Sequence, residues 1–265
     1  LPDQEQDVPD EDGLMPGTVK AEKTASWVNY NERIGRIDFN VKGKAKKQGA
    51  DVVIVLDKSG SMSASALLGG SSSQDEMMIP AKEACIELIN SLLGDPGDNN
   101  RVAVVPFSSR AVKSTHTDDS IPFQISATAD VLTTAVNVTG AYGETAYADG
   151  LQKASEFINE RNGDGTGGRP AYIIFISDGK ATDGNSSDSI ATQLKKQGVT
   201  IYSVGIQMGK GADEALKKLS GDSNPKNQYY QNVEEMSDLY PVLEKMAGNI
   251  KIAGTEGVIH DVISP

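Results

Sequence analysis

The sequence predicts an α/β protein: a doubly wound, mostly parallel central sheet flanked by helices, with further β-strands outside it. Three observations predict this class. Four short runs, DVVIVL (51–56), RVAVVPF (101–107), AYIIFI (171–176) and TIYSVGI (200–206), are apolar almost throughout, as strands covered on both faces are. Longer segments with apolar residues at helical spacing separate them. The two kinds alternate along the chain, which is the pattern of βαβ units.

Taken in order, residues 1–17 (LPDQEQDVPDEDGLMPG) are acidic, proline-bearing and poor in large apolar side chains, and read as a disordered leader or linker. Over 18–48 the composition changes. Ile34, Ile37, Phe39 and Val41 fall between polar residues, so two or three strands with one half-buried face are expected. The run 51–56 opens the doubly wound part. PAKEACIELINSLLG (80–94) reads as a helix opened by Pro80 and closed by Gly94, with Cys85, Leu88, Ile89 and Leu92 on one stripe. The strand 101–107 precedes a second long helix, AYADGLQKASEFINE (146–160). The strand 171–176 leads to a helix near 186–197, and the strand 200–206 to one near 211–220. A final helix over 233–250 reaches a last alternating segment, IAGTEGVIHDVI (252–263).

With 265 residues there is room for one large domain, or one domain with pieces of another. A formal net charge of −12 argues against nucleic acid, which calls for clustered Lys and Arg, and against attachment to an anionic membrane surface. No apolar run approaches the ~18 residues that a membrane helix requires, so no membrane insertion is expected. The chain starts without Met and shows no secretory signal, as expected of a processed or excised piece. The lone Cys85 excludes an internal disulfide. That suits a cytosolic protein and, equally, a surface protein from a cysteine-avoiding lineage.

The chemistry-bearing residues gather where strands end. Asp57, Ser59 and Ser61 follow the first apolar run, with Gly60 between the serines. As a bare spacing D-x-S-x-S is weak; its place at a strand end strengthens it. FISDGKATDG sets Asp178 just beyond the third run, and GAYGETAYADGL sets Thr145 in a glycine-bearing loop entering a helix. Doubly wound sheets bind ligands at the carboxyl ends of their strands. Two carboxylates and three hydroxyls are hard oxygen donors, suited to Mg²⁺, Ca²⁺ or Mn²⁺ rather than Zn²⁺ or Cu²⁺. Hydroxyls neutralise little of a dication's charge, and five protein positions leave one for water or a partner's oxygen. The competing reading is that these serines only cap turns and helices.

In DKSGS (57–61), the Thr145 of GETAYADGL and the Asp178 of SDG, in that order, the chain resembles the von Willebrand factor type A domains that carry a metal-ion-dependent adhesion site. The resemblance covers roughly residues 50–250. It implies that Asp57, Ser59, Ser61, Thr145 and Asp178 hold a divalent cation, with Mg²⁺ expected first, and that a partner's carboxylate completes the coordination. The flanks, VKAEKTASWV through DKSGSM and the closing AGTEGVIHDVISP, resemble tip adhesins of sortase-assembled pili of Gram-positive bacteria. There the domain is inserted in a β-sandwich. The implied division is a flanking module over 18–48, the type A domain over 49–250 and a return strand over 251–265. No LPxTG sorting signal is present, so anchoring has no motif behind it.

The resemblance implies a cell-surface adhesin at a pilus tip, cell-wall linked through the full-length protein. Its partners would be a host extracellular-matrix or cell-surface protein, met through an acidic side chain, and a pilus shaft subunit, met through regions outside this sequence. The alternative is an intracellular type A protein that assembles complexes or assists an ATPase; the flanking strands argue against it. A hydrolase is not expected, since no His, paired nucleophile and base, or phosphate-cradling Gly-Lys loop accompanies the motif.

Other residues carry less. Lys23 lies where such sandwiches hold a lysine that forms an isopeptide bond; an ordinary strand lysine is the plainer reading, and Asp261 is a weaker candidate acid. His116 and His260 share no motif. KGKAKK (42–47) reads as a solvated strand end, Cys85 as a small core hydrophobe, and Asp149 as support for its helix start. SASALLGGSSSQDEMM (63–78) is either a loop over the metal serines that sets ligand choice or an idle one.

Overall fold

The computed structural model describes residues 19–43, 49–63, 77–108, 119–161, 168–179, 181–183, 186–209, 211, 213–221 and 229–253. The expected leader, His116, His260, Asp261, most of the 63–78 loop and residues 254–265 of the expected return strand lie outside these residues. The chain divides into two units, one containing the first two strands and one running from Gly49 to Gly254.

The first unit is an antiparallel pair, β1 (Val19–Asn29) and β2 (Ile34–Gly43). Its register sets Ala21 opposite Val41, Lys23 opposite Phe39 and Ala25 opposite Ile37. Residues directly opposite share a face, so the apolar ones form one side. Glu22 with Asn40, Thr24 with Asp38 and Ser26 with Arg36 make the middle of the other side polar. The alternation anticipated a half-buried face, but Trp27, Ile37 and Phe39 are 61%, 51% and 50% exposed. Two strands alone cannot cover their own apolar side. The Lys23 ammonium lies over the Phe39 ring, 4.9 Å from its centroid.

The second unit is built on β3 (Asp51–Asp57). It pairs in parallel with β4 (Arg101–Phe107) on one side and β6 (Ala171–Ser177) on the other. With β5 (Ile121–Gln124), β7 (Thr200–Ile206) and β8 (Tyr230–Val233) the order is β5-β4-β3-β6-β7-β8, and β5 alone of these runs antiparallel to its neighbour. The chain moves outward from β3 to β5, then returns to β6 on the opposite side. This reversal places the switch point at the carboxyl end of β3.

Every residue of β3 is buried, because helices cover both faces. Val52, Ile54 and Leu56 pack with α1 (Met78–Leu93), α2 (Ala129–Val138) and α6 (Leu239–Ala253). Val53 and Val55 pack with α3 (Tyr147–Glu160), α4 (Ser186–Lys196) and α5 (Glu214–Ser220). Each such side chain contributes about 1.5–3 kcal/mol of apolar burial.

Two expected elements differ. The helix expected over 233–250 is instead the end of β8, a 3₁₀ turn at Met236–Asp238 and then α6. Pro241 is the reason: it is tolerated in a first helical turn but not in an interior, so the helix begins just before it. Residues 251–253, expected to begin the return strand, continue α6.

Gly150 seats α3 closely against the sheet. A Cβ there would lie 2.9 Å from both Phe107 and Val55, tighter than real contacts allow. Gly150→Ala gains about 1 kcal/mol of helix propensity but overpacks the core by about 1–3 kcal/mol. Net destabilisation in a urea titration is expected; a stabilised variant would show that α3 can move outward.

Candidate metal centre

Both ends of β3 carry a fully buried aspartate, and the two have opposite surroundings. Asp51 accepts from Arg101 Nε at 2.8 Å, Arg161 Nη1 at 2.8 Å and Arg169 Nε at 3.0 Å. Burial alone would push its carboxyl up, but the hydrogen bonds of Arg101 and Arg161 and the charges of Arg101 and Arg169 outweigh it and hold it below its ordinary value. Asp57 meets hydroxyls, an amide and a second carboxylate. Its Oδ1 accepts from the Ser59 amide at 2.7 Å, and its Oδ2 from the Ser177 hydroxyl at 2.5 Å. Burial, and next the charge of Asp178, push its carboxyl up to about 7. Burial raises Asp178 as well.

The loop after β3 turns at once into a single 3₁₀ turn, Gly60–Met62, at whose start Ser59 makes no side-chain capping bond. Its hydroxyl instead lies 3.0 Å from Ser61 Oγ, and Ser61 Oγ donates to Asp178 Oδ1 at 2.8 Å. The loop bearing Thr145 is laced to this turn by Gly60 N–H to the Gly143 carbonyl (2.8 Å) and Tyr142 N–H to the Lys58 carbonyl (2.7 Å). Thr145 is not the cap of α3 either. Asp183 does that work, its Oδ2 accepting the Ala148 amide at 2.5 Å, while the Thr182 amide and hydroxyl both donate to the Thr145 carbonyl. The capping interpretation of these hydroxyls therefore fails at Ser59 and at Thr145.

Gly179 shows how closely the three loops converge. A Cβ built there would sit 3.2 Å from Thr145 Oγ1 and 3.4 Å from Ser61 Oγ. The structure thus brings Asp57, Ser59, Ser61, Thr145 and Asp178 together at one sheet edge. Asp57, Ser59 and Thr145 are buried and the other two half-buried. Asp149 sits in the first turn of α3.

These residues fit a hard divalent cation. Two carboxylates share a poorly hydrated place with hydroxyls and without a bonded guanidinium of the kind Asp51 has, so a dication would relieve their mutual repulsion. Among the described residues no three His, Cys, Asp or Glu side chains gather to hold a metal, and the donors here are hydroxyl and carboxylate oxygens, a hard set that suits a divalent cation.

Several residues that build this arrangement were not singled out from sequence. Ser177 bonds Asp57. Tyr147, fully buried, donates its hydroxyl to the Gly179 carbonyl at 2.6 Å. Asp183 was visible as the second aspartate of SDGKATDG, but only the fold shows that it reaches α3.

Comparison with known proteins bears on the fold and the family. The family description "von Willebrand factor type A domain" matches residues 51–245. Among curated proteins, the human collagen alpha-5(VI) chain is 26% identical over 104 residues, which are 39% of this chain and 4% of that protein. The chain thus spans a very small part of the curated relatives it matches. Among solved structures, the pilus adhesin SpaC from Lactobacillus rhamnosus GG superposes with a TM-score of 0.65 at 16% identity, over 92% of this chain and 36% of that one. Proximal thread matrix protein 1 from the mussel byssus, solved with a zinc-occupied MIDAS motif, gives 0.55 at 21% identity, over 78% and 46%.

Proposed function

Because the chain belongs to the von Willebrand factor type A family, we propose that its edge site is a metal-ion-dependent adhesion site that captures an acidic side chain of another protein. One observation carries this: Asp57 is as buried as Asp51, yet what faces it is hydroxyls and a second carboxylate. Asp57, Ser59, Ser61, Thr145 and Asp178 would hold the cation, Mg²⁺ first, with Ca²⁺ or Mn²⁺ as substitutes. When bound, a divalent cation supplies an open position for a partner's carboxylate oxygen.

The chain's own residues prepare the place. Ser177 and the Ser59 amide orient the Asp57 carboxylate. Ser61 and Asp178 hold each other, and the hydrogen bonds from Gly60 and Tyr142 keep the Thr145 loop against the serine turn. Such prior positioning lowers the ordering cost of binding. No turnover belongs to this reading.

In the same reading the protein is a bacterial surface adhesin at a pilus tip, linked to the cell wall through its full-length form, and its partner is a host extracellular-matrix or cell-surface protein. The likeness in fold to SpaC, a pilus adhesin, supports it. So does the amphipathic β1–β2 pair, whose exposed apolar side suits a strand pair of a larger flanking module. The test is an array of immobilised matrix proteins probed with this chain in Mg²⁺ and in chelator. Binding in Mg²⁺ that disappears on chelation and returns with added Mg²⁺ is expected. Binding indifferent to chelator would remove the metal bridge from the account.

A further inference from the structure

Lys58 stands in sequence between two of the five oxygen donors, yet its side chain has no exposed surface. Its ammonium donates to Asp119 Oδ2 and to the Tyr142 hydroxyl, both at 2.8 Å, and lies 4.8 Å from the centroid of the Tyr142 ring. The backbone of the same residue is held on both sides, by the Phe107 carbonyl at 2.8 Å and the Tyr142 amide at 2.7 Å. Lys58 therefore grips three chain segments: the end of β4, the residue before Ser120 and β5, and the loop that delivers Thr145. Burying an ammonium is costly unless it is paired and hydrogen-bonded, and an apolar side chain of similar length would fill the slot more cheaply. What the charge adds is direction. Its donors fix Tyr142, and Tyr142 lies three residues before Thr145 in the same loop.

We propose that Lys58 is the positioning residue of the metal centre: through Asp119 and Tyr142 it sets the gap between the Ser59–Ser61 turn and Thr145. That gap then determines how tightly, and how selectively by size, the centre holds its cation. The inference rests on reading the five-residue set as a cation site. Mg²⁺ demands short, near-octahedral coordination, whereas Ca²⁺ tolerates longer and irregular bonds. A loosened gap therefore penalises Mg²⁺ more than Ca²⁺.

The decisive experiment measures Mg²⁺ and Ca²⁺ affinities by calorimetry, with metal-free thermal stability, for the unaltered chain and for Lys58→Met, Asp119→Asn and Tyr142→Phe. Lys58→Met is expected to weaken Mg²⁺ about ten- to hundred-fold, the range for partners that orient metal ligands, and Ca²⁺ by less. Asp119→Asn and Tyr142→Phe should fall between, and the Lys58→Met/Asp119→Asn double variant should bind no more weakly than Lys58→Met alone. Asp119 is 51% exposed and can rehydrate, so the metal-free chain should unfold close to its normal temperature. Should Lys58→Met fail to fold, Asp119→Asn carries the test from the solvent side. Unchanged Mg²⁺ affinity, or equal loss of both ions alongside lost thermal stability, overturns the positioning role and leaves a structural lysine. Failure of the unaltered chain to bind either ion is a different result: it removes the cation-site reading, and this inference with it.

Discussion

Replacing Asp57 with Asn is expected to weaken Mg²⁺ binding by more than about a hundredfold, beyond the usual loss on altering an orienting partner. The same change should make the metal-free chain more stable at pH 8. The two effects share one cause. Asp57 is fully buried, and burial, then Asp178, raise its carboxyl to about 7. The unfolded chain releases that proton near the ordinary aspartate value of about 3.9. Between those values the folded state holds more protons, so stability of the metal-free chain falls as pH rises and levels off above about 7. Asn keeps an oxygen for the Ser59 amide and carries no charge, so this slope should vanish in the variant. Conversely, Mg²⁺ at a hundred times its Kd should stabilise the unaltered chain at pH 8 by about 2.7 kcal/mol, and the variant not at all. Urea titrations at pH 5 and pH 8, with and without Mg²⁺, give all four comparisons. A variant that binds Mg²⁺ as before would remove Asp57 from the metal centre.

Much of this arrangement was legible in the sequence because it is local. Continuous apolar runs announced β3, β4, β6 and β7, since strands buried on both faces leave no polar positions. The carboxyl ends of β3 and β6 then set Asp57 and Asp178 at one edge, which Thr145 reaches on the loop between α2 and α3. The short edge strands β5 and β8, with only four residues each, carried too little pattern to read. The helix α2, ADVLTTAVNV, is rich in β-branched residues that weaken the helical signal. What sequence could not show is reach. Ser177 on Asp57, Asp183 on the start of α3 and Lys58 on Asp119 join residues far apart along the chain, and no spacing rule encodes such pairs. Lys58 was hidden further by its position inside a motif, where only the oxygen donors drew notice.

The opposite end of β3 should be the chain's most sensitive point for stability. Asp51→Ala is expected to destabilise the folded state by about 3–5 kcal/mol, the cost of removing one partner from a buried ion pair, and a large share of the about 5–15 kcal/mol that holds most domains together. Asp51 joins Arg101 at the start of β4, Arg161 at the end of α3 and Arg169 just before β6, so one carboxylate fastens the entries of three neighbouring strands. Without it the guanidiniums face one another. Burial, and the charges of Arg101 and Arg161, already pull the Arg169 guanidinium below its usual value, with Asp51 opposing. The sign with pH is opposite to that at Asp57. Because the folded carboxyl lies below its ordinary value, its contribution is complete above about pH 4 and is lost only as pH falls through the folded value. The unaltered chain should therefore lose this part of its stability in acid alone, and Asp51→Ala should lack it at every pH. Urea titrations at pH 7 and pH 3 would show the gap between the two chains narrowing in acid; a loss below about 1 kcal/mol at pH 7, the range of a surface pair, would mean that the three arginines find other acceptors.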